Sequence, residues 1–417
     1  MEQLPIEEVI GRKVFDSRGS ETIEAEVWTR ESVGRAIAPS GKSIGRNEVR
    51  AFPKGGVSEA LAKLKKDVSR VLKGKNSLNQ EEIDSAILRV DGTEDLSSIG
   101  GSLAFAVSMA NLEAASNYWE TPIYKYLGGI RARELPYPLG NVVGGGSHTM
   151  WGADIQEFLV LPTGAEDIYQ ALETNIEIHR LVGEELKKLD KTFTGGKGDE
   201  GAWAPNLKSD EILEVMSRIC ENYEKDVGME VRLGIDLAAS SLWNGKHYHY
   251  KREGIKRSPE EQMEYVISLI DEYGVKYIED PFHEEDFDSF STLTEEKGKE
   301  VLICGDDLFT TNKERLETGM KRGACNSLII KVNQVGVLSK ALETLEVAMS
   351  SGYIPIISHR SGESCDPKIS HLAVGLRIPI AKIGILGGER VSKANELIRI
   401  WEDLGSPKMV ELPKQLR

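Results

Sequence analysis

Apolar residues fall along this chain in two successive rhythms. In the first third, alternation comes before helical spacing. VFDSRGSETIEAEVWT and SVGRAIAPS alternate as strands do, with a turn between them. A polar loop with glycines follows, PSGKSIGRNE. Val57, Leu61, Leu64, Val68 and Val71 then recur at a spacing that predicts one apolar helix face. NQEEIDSAILRV opens on Asn79 with Glu82 three residues later, the pattern of a capped helix start. GSLAFAVSMANLEAASNYW is apolar nearly all round, which predicts a helix packed between layers. Strands followed by helices predict an α+β domain over residues 1–135. KYLGGIRARELPYP, at its end, reads as a linker.

Over residues 136–417 short apolar strands alternate with amphipathic helices. The clearest strands are QEFLVLP, VRLGIDLA, VKYIEDPF, EVLICGDDLF, NSLIIKVNQ, YIPIISHRSG and AKIGIL. SPEEQMEYVISLIDEYG and LSKALETLEVAMSSG are typical of the helices between them. Repeated units of this kind predict an α/β fold closed into a (β/α) barrel. An open doubly wound sheet is the alternative. No strand is followed by GxGxxG, and GGKGDEG lacks the Ser or Thr that a P-loop carries after its lysine.

The strand ends carry the chemistry. Asp236 ends LGID, Glu279 ends KYIE and Asp306 ends LICGD. In a barrel these ends meet on one rim, where three carboxylates repel unless a cation sits among them. Oxygen ligands alone select a hard divalent ion such as Mg²⁺. One acidic strand end is ordinary solvation; three in succession favour metal. The following ends change sign: Lys331 after SLII, then His359, Arg360 and Ser361, then Lys382. A lysine near a metal and a second cation is expected to have a lowered pKa and to serve as a base. GGGSHTMWGADIQEF adds His148, Gln156 and Glu157, and GDEGAWAP adds Asp199 and Glu200. Carboxylates away from the metal could keep or share a proton and give it to a leaving hydroxyl.

Composition narrows the partners. The chain has 417 residues, 40% hydrophobic and 29% charged, enough for a barrel and a smaller domain. A formal net charge of −15 argues against nucleic acid and anionic membrane as partners, but not against an anionic substrate in a cleft of local cations. The four cysteines are scattered, without a CxxC pair, so a reducing cytoplasm is expected rather than disulfides or structural zinc. No signal peptide or membrane span is read from the sequence. His179, His283 and His371 read as helix or loop surface residues, His247 and His249 as part of an exposed hairpin, and Cys304 as a small core residue.

DSRG, PSGKSIG, GGSH, QEF, GDEGAWAP, IEDPF, GDDL, KVNQ and SHRSGE occur in this order. That set resembles the enolase family over nearly the whole chain. The resemblance implies a modified (β/α)8 barrel that begins with a β-hairpin variation. It also implies reversible dehydration of 2-phosphoglycerate to phosphoenolpyruvate through a Mg-stabilised enediolate. Asp236, Glu279 and Asp306 then correspond to ligands of the first Mg²⁺. Ser43 corresponds to the lid serine that completes a second, substrate-assisted Mg²⁺ site. Lys331 corresponds to the base and Lys382 to its neighbouring cation at the substrate carboxylate. Glu200 corresponds to the acid, with Glu157 and His359 close by. His148 and Gln156 fall in the substrate pocket, and Arg360 and Ser361 at the phosphate. A homodimer is implied, with octamers in some members.

Several positions depart from the family pattern: Lys42 and Ile44 in the lid, Ser20 and Glu21, Ala202, Ser241, Ile383 and Leu386. None removes an acid, base or ligand. They leave open a relative acting on another 2-phospho or α-hydroxy acid, and a non-catalytic binding or structural protein with the enolase fold.

Overall fold

The computed structural model describes residues 2–42 and 45–417. Ser43 and Ile44 lie outside the described residues. Strands β1 (Ile6–Phe15), β2 (Glu21–Thr29) and β3 (Val33–Ile37) form an antiparallel sheet in that order. The apolar helix Gly101–Tyr118 lies across β2 and β3, buried along most of its length. Gly34 on β3 allows this contact, because a Cβ there would fall 2.1 Å from the Ala110 carbonyl oxygen. Asn79 caps its helix by accepting from the Glu82 amide at 3.2 Å.

Two expectations for this region need correction. The helix beginning at Gly56 passes through a π-helical turn at Leu64–Val68 before resuming at Ser69–Leu72. A π-turn carries more residues than an α-turn and rotates the rest of the helix about its axis. Leu72 is therefore fully buried and Val71 is 41% exposed, although regular spacing would have buried Val71. KYLGGIRARELPYP is also not plain linker. Its start completes a short helix, Ile123–Gly128, and its last two residues begin a strand.

That strand, β4 (Tyr137–Gly144), opens the barrel. The others are β5 (Glu157–Leu161), β6 (Arg232–Asp236), β9 (Tyr277–Glu279), β10 (Leu302–Gly305), β11 (Ser327–Ile330), β12 (Ile354–Ser358) and β13 (Ile380–Lys382). Between β6 and β9 the short strands β7 (Tyr248–Tyr250) and β8 (Ile255–Arg257) form a separate hairpin. The barrel closes in the order β10-β11-β12-β13-β4-β5-β6-β9. β5 runs antiparallel to both neighbours, and the other adjacent pairs are parallel. β4 and β5 thus form the expected hairpin. Two helices, Ile168–Leu189 and Ser209–Val227, come before β6. Among the described residues, no helix is long and apolar enough to cross a membrane.

Candidate active site

The direction of β5 decides which residues reach the active rim. A parallel strand presents its C-terminal end there. β5, being reversed, presents its first residue, Glu157, with Gln156 just before it. The register sets Glu157 opposite Asp236 and Asp236 opposite Glu279. Asp306 follows the end of β10, Lys331 follows β11, His359 to Ser361 follow β12, and Lys382 ends β13. These residues converge on a cleft that His148 and Glu200 also line.

Lys382 is the electrostatic hub. Its Nζ lies 2.6 Å from Glu279 Oε2, 2.8 Å from Glu157 Oε2 and 3.1 Å from Asp236 Oδ2. Burial works against this ammonium, but Glu157, Glu279 and Asp236 prevail and hold it charged. Lys331 pairs with Asp306. Burial and Arg360 lower the Lys331 pKa, while Asp306 and Glu279 raise it, and the net shift is upward. Asp306, which directly faces the amine, holds it charged.

On the other side of the cleft, Glu200 Oε2 accepts from Asn141 Nδ2 at 3.0 Å and lies 3.4 Å from His359 Nε2. His148 Nδ1 is 3.4 Å from Glu157 and 3.9 Å from Glu200. Burial, aided by Glu200, pushes the Glu157 carboxyl well up. Burial also opposes ionisation of Glu200, but His359, His148 and Arg390 overcome it and hold Glu200 well down. Arg390 Nη1 donates to His359 Nδ1 at 2.8 Å, which leaves the Nε2 hydrogen facing Glu200. Burial and Arg390 lower the His359 pKa to about 4.

The carboxylates suit a divalent cation. Glu279 is fully buried, and among the described residues its Oε1 has no hydrogen-bond partner. Burial and the neighbouring Asp236 raise its pKa to about 7, partly offset by Lys382. An orphaned buried oxygen among further carboxylates is a donor set for a hard ion. Oxygens of Asp280, Asp306 and Asp307 also lie within 4.8 Å of one another. Asp280, however, already accepts the amides of Asp306 and Asp307 at 3.0 and 2.7 Å.

The residues expected at the substrate are held as firmly. Ser361 Oγ accepts from the Lys42 amide at 2.9 Å and from Arg18 Nη1 at 3.4 Å. Gln156 Oε1 accepts from Ser147 at 2.8 Å. Lys42 Nζ reaches Asp199 Oδ2 at 3.1 Å, tying the loop after β3 to the loop of Glu200. Gly201 in that second loop has φ +77°, and a Cβ there would meet the Leu386 carbonyl oxygen at 2.0 Å. Ala202 has no positive φ and tolerates its methyl. Ile383 is fully buried and Ser241 is exposed, and neither lines the cleft.

Asn141, Arg390 and His179 carry no signal in the sequence. Asn141 lies inside β4, a strand between the expected linker and the GGGSH loop that the apolar pattern does not announce. Arg390 lies in the helix Gly388–Asp403, where a charged residue looks like solvated surface, yet it is fully buried. His179 is 1% exposed, not on the surface, and its Nε2 donates to the Gly201 carbonyl at 3.1 Å. His249 lies within β7 and His247 just before it, both half-buried rather than exposed, because Tyr248 and Tyr250 pack the hairpin against the core; Cys304 is buried.

Comparison with known proteins gives the same picture over the whole chain. The family described as "Enolase, N-terminal domain" matches residues 6–127, and "Enolase, C-terminal TIM barrel domain" matches residues 132–412. The enolase of Methanosphaera stadtmanae is 49% identical over 410 residues, covering 98% of this chain and 99% of its own. That of Methanothermobacter thermautotrophicus is 46% identical, with 98% and 99% covered. That of Pyrobaculum aerophilum is 46% identical, with 94% and 96% covered.

Proposed function

The chain belongs to the enolase family, and from that premise we propose how its residues divide the reversible dehydration of 2-phosphoglycerate to phosphoenolpyruvate. The observation that carries the reading is the position of base and acid around the ring. Lys331 follows β11, and Glu157, across His148 from the proposed acid Glu200, begins β5, four strands away in a closed barrel of eight. Groups so placed flank a bound substrate from opposite sides, which suits an anti elimination across two adjacent carbons.

Lys331 takes the proton from the carbon that bears the carboxylate. For this it must be neutral, so Asp306 has to release it first. The electron pair left on carbon delocalises into the carboxylate, which Lys382 holds. It then forms the new double bond as the carbon–oxygen bond breaks. The hydroxide leaves as water with the proton held by Glu157 and Glu200, which act as one acid, Glu200 delivering and His148 between them. His359 keeps Glu200 in place. Gln156 orients the substrate, and Arg360 and Ser361 hold its phosphate. Asp236, Glu279 and Asp306 would hold Mg²⁺, with a second ion when substrate is bound, and the metal would neutralise the charge gathering on the carboxylate. The departures at Ile383 and Ser241 lie outside the cleft lining, which favours this substrate over a related acid.

We place the domain boundary at residue 135 and expect a cytoplasmic homodimer, or an octamer of such dimers; sedimentation tests the assembly. The activity test mixes protein, 2-phosphoglycerate and Mg²⁺ and follows the ultraviolet absorbance of phosphoenolpyruvate. The signal should vanish with a chelator and in Lys331→Ala. A folded Lys331→Ala variant that keeps full turnover would remove Lys331 as the base.

A further inference from the structure

Arg360 is held at both ends, and by different domains. Its backbone belongs to the barrel: the amide donates to Glu363 Oε1 at 3.1 Å, and the carbonyl accepts from Arg390 Nη1 at 2.7 Å. Its guanidinium meets Glu48 from the N-terminal domain. Nη1 lies 2.9 Å from Glu48 Oε2 and Nη2 lies 3.1 Å from Oε1. Two parallel bonds fix the plane of the guanidinium as well as its position. Both side chains are deeply buried, 4% and 5% exposed. Glu48 is itself fixed, because Oε1 also accepts from the Gly45 amide at 3.2 Å and from Gln334 Nε2 at 3.4 Å.

We infer that Glu48 is the positioning residue for the Arg360 guanidinium and through it sets the affinity of the site for the phosphate of the substrate. The inference rests on the reading of Arg360 as a phosphate contact. The sign of the effect comes from what else faces Arg360. Asp306 and Asp307 line the same cleft. A guanidinium released from Glu48 turns toward those carboxylates and away from an incoming phosphate. The phosphate is the same group in substrate and product, and no bond to it is made or broken. Its binding is therefore uniform along the reaction, so a change in it moves KM and leaves kcat.

The test uses the full chain with Mg²⁺ and the variants Glu48→Ala and Glu48→Gln. Glu48→Ala should raise KM for 2-phosphoglycerate about tenfold, with kcat changed less than about twofold. The dissociation constant of inorganic phosphate should rise by the same factor, and Glu48→Gln, which keeps one acceptor, should fall between. Asp84→Ala, destabilised at the domain interface and outside the cleft lining, serves as the stability control and should leave KM unchanged. A Glu48→Ala enzyme that melts early but keeps its KM and phosphate affinity makes Glu48 merely structural. A loss confined to kcat, or tighter phosphate binding, overturns the inference as well. Arg360→Lys separates the underlying reading: if it too leaves phosphate binding intact, Arg360 is not the phosphate contact. If it weakens binding while Glu48→Ala does not, only the role of Glu48 fails.

Discussion

His179 shows what a single buried imidazole does for this protein. It donates to the Gly201 carbonyl, stacks on Trp203 with ring centroids 4.5 Å apart, and so braces the loop that carries Glu200. Burial lowers its pKa to about 4, with the Gly201 bond opposing and Lys197 adding to the shift. Between about pH 6.5 and 4 the unfolded chain binds this proton and the folded protein does not, so folding loses stability as pH falls through that window. The loss amounts to about 3 kcal/mol, complete near pH 4. Denaturant titrations at pH 7 and pH 4 should show it, and His179→Gln, which retains a donor to Gly201, should reduce the difference by that amount. An unchanged difference in the variant would assign the pH dependence to other groups. The strand-end charges are legible in the sequence because each follows an apolar run directly and they come in succession. His179, Asn141 and Arg390 are hidden there because their meaning lies in contacts across tens to hundreds of residues. Arg390 in a helix looks like surface until the strands it packs beneath are in place.

At the scale of elements, the N-terminal domain completes a helix of the barrel. The helix Leu338–Ser350 begins at Val337, which has no capping side chain. The N-terminal domain supplies the missing acceptors: Asp84 Oδ2 takes the Ser339 amide at 2.8 Å and Ser108 Oγ takes the Leu338 amide at 3.0 Å. Ser108 and Gln80 bond to Asp84 in turn, at 2.7 and 2.9 Å. These are the amides a helix start leaves unpaired. Asp84→Ala should therefore cost about 2–4 kcal/mol, more than an exposed cap, because several buried donors lose their acceptor. A urea midpoint shift worth less than about 1 kcal/mol would mean water replaces Asp84 without loss. Element types are mostly legible, since period two and period 3.6 are plain in this chain. β4 is not, because Pro138 and Gly140 read as breakers, whereas a strand buried in a barrel tolerates them where its neighbours provide the pairing. The π-turn is not either, because one additional residue in a turn leaves no mark on composition.

The whole molecule gathers more negative than positive charge at its rim. Glu157, Glu200, Asp236, Asp280, Asp306 and Asp307 line the cleft with Glu279 at its base, against Lys331, Lys382 and Arg360. The protein meets this excess by raising carboxyl pKa values, most plainly at Glu157, Asp280 and Asp307, where burial is the largest cause. Barrel closure, which no stretch of sequence states, is what turns isolated acidic strand ends into this common field. A divalent cation bound only by the folded protein relieves it and must stabilise the fold by mass action. At a free concentration one hundred times its dissociation constant, Mg²⁺ should add about 2.7 kcal/mol. For a chain of this size that is a rise of several degrees in Tm, abolished by a chelator. Asp236→Asn should remove most of the Mg²⁺ response while leaving a folded protein, since the amide keeps an oxygen for the Ala238 amide that Asp236 accepts at 2.9 Å. If that variant gained as much from Mg²⁺ as the parent, the ion would be held elsewhere, and the Asp280, Asp306 and Asp307 group would be the next to substitute.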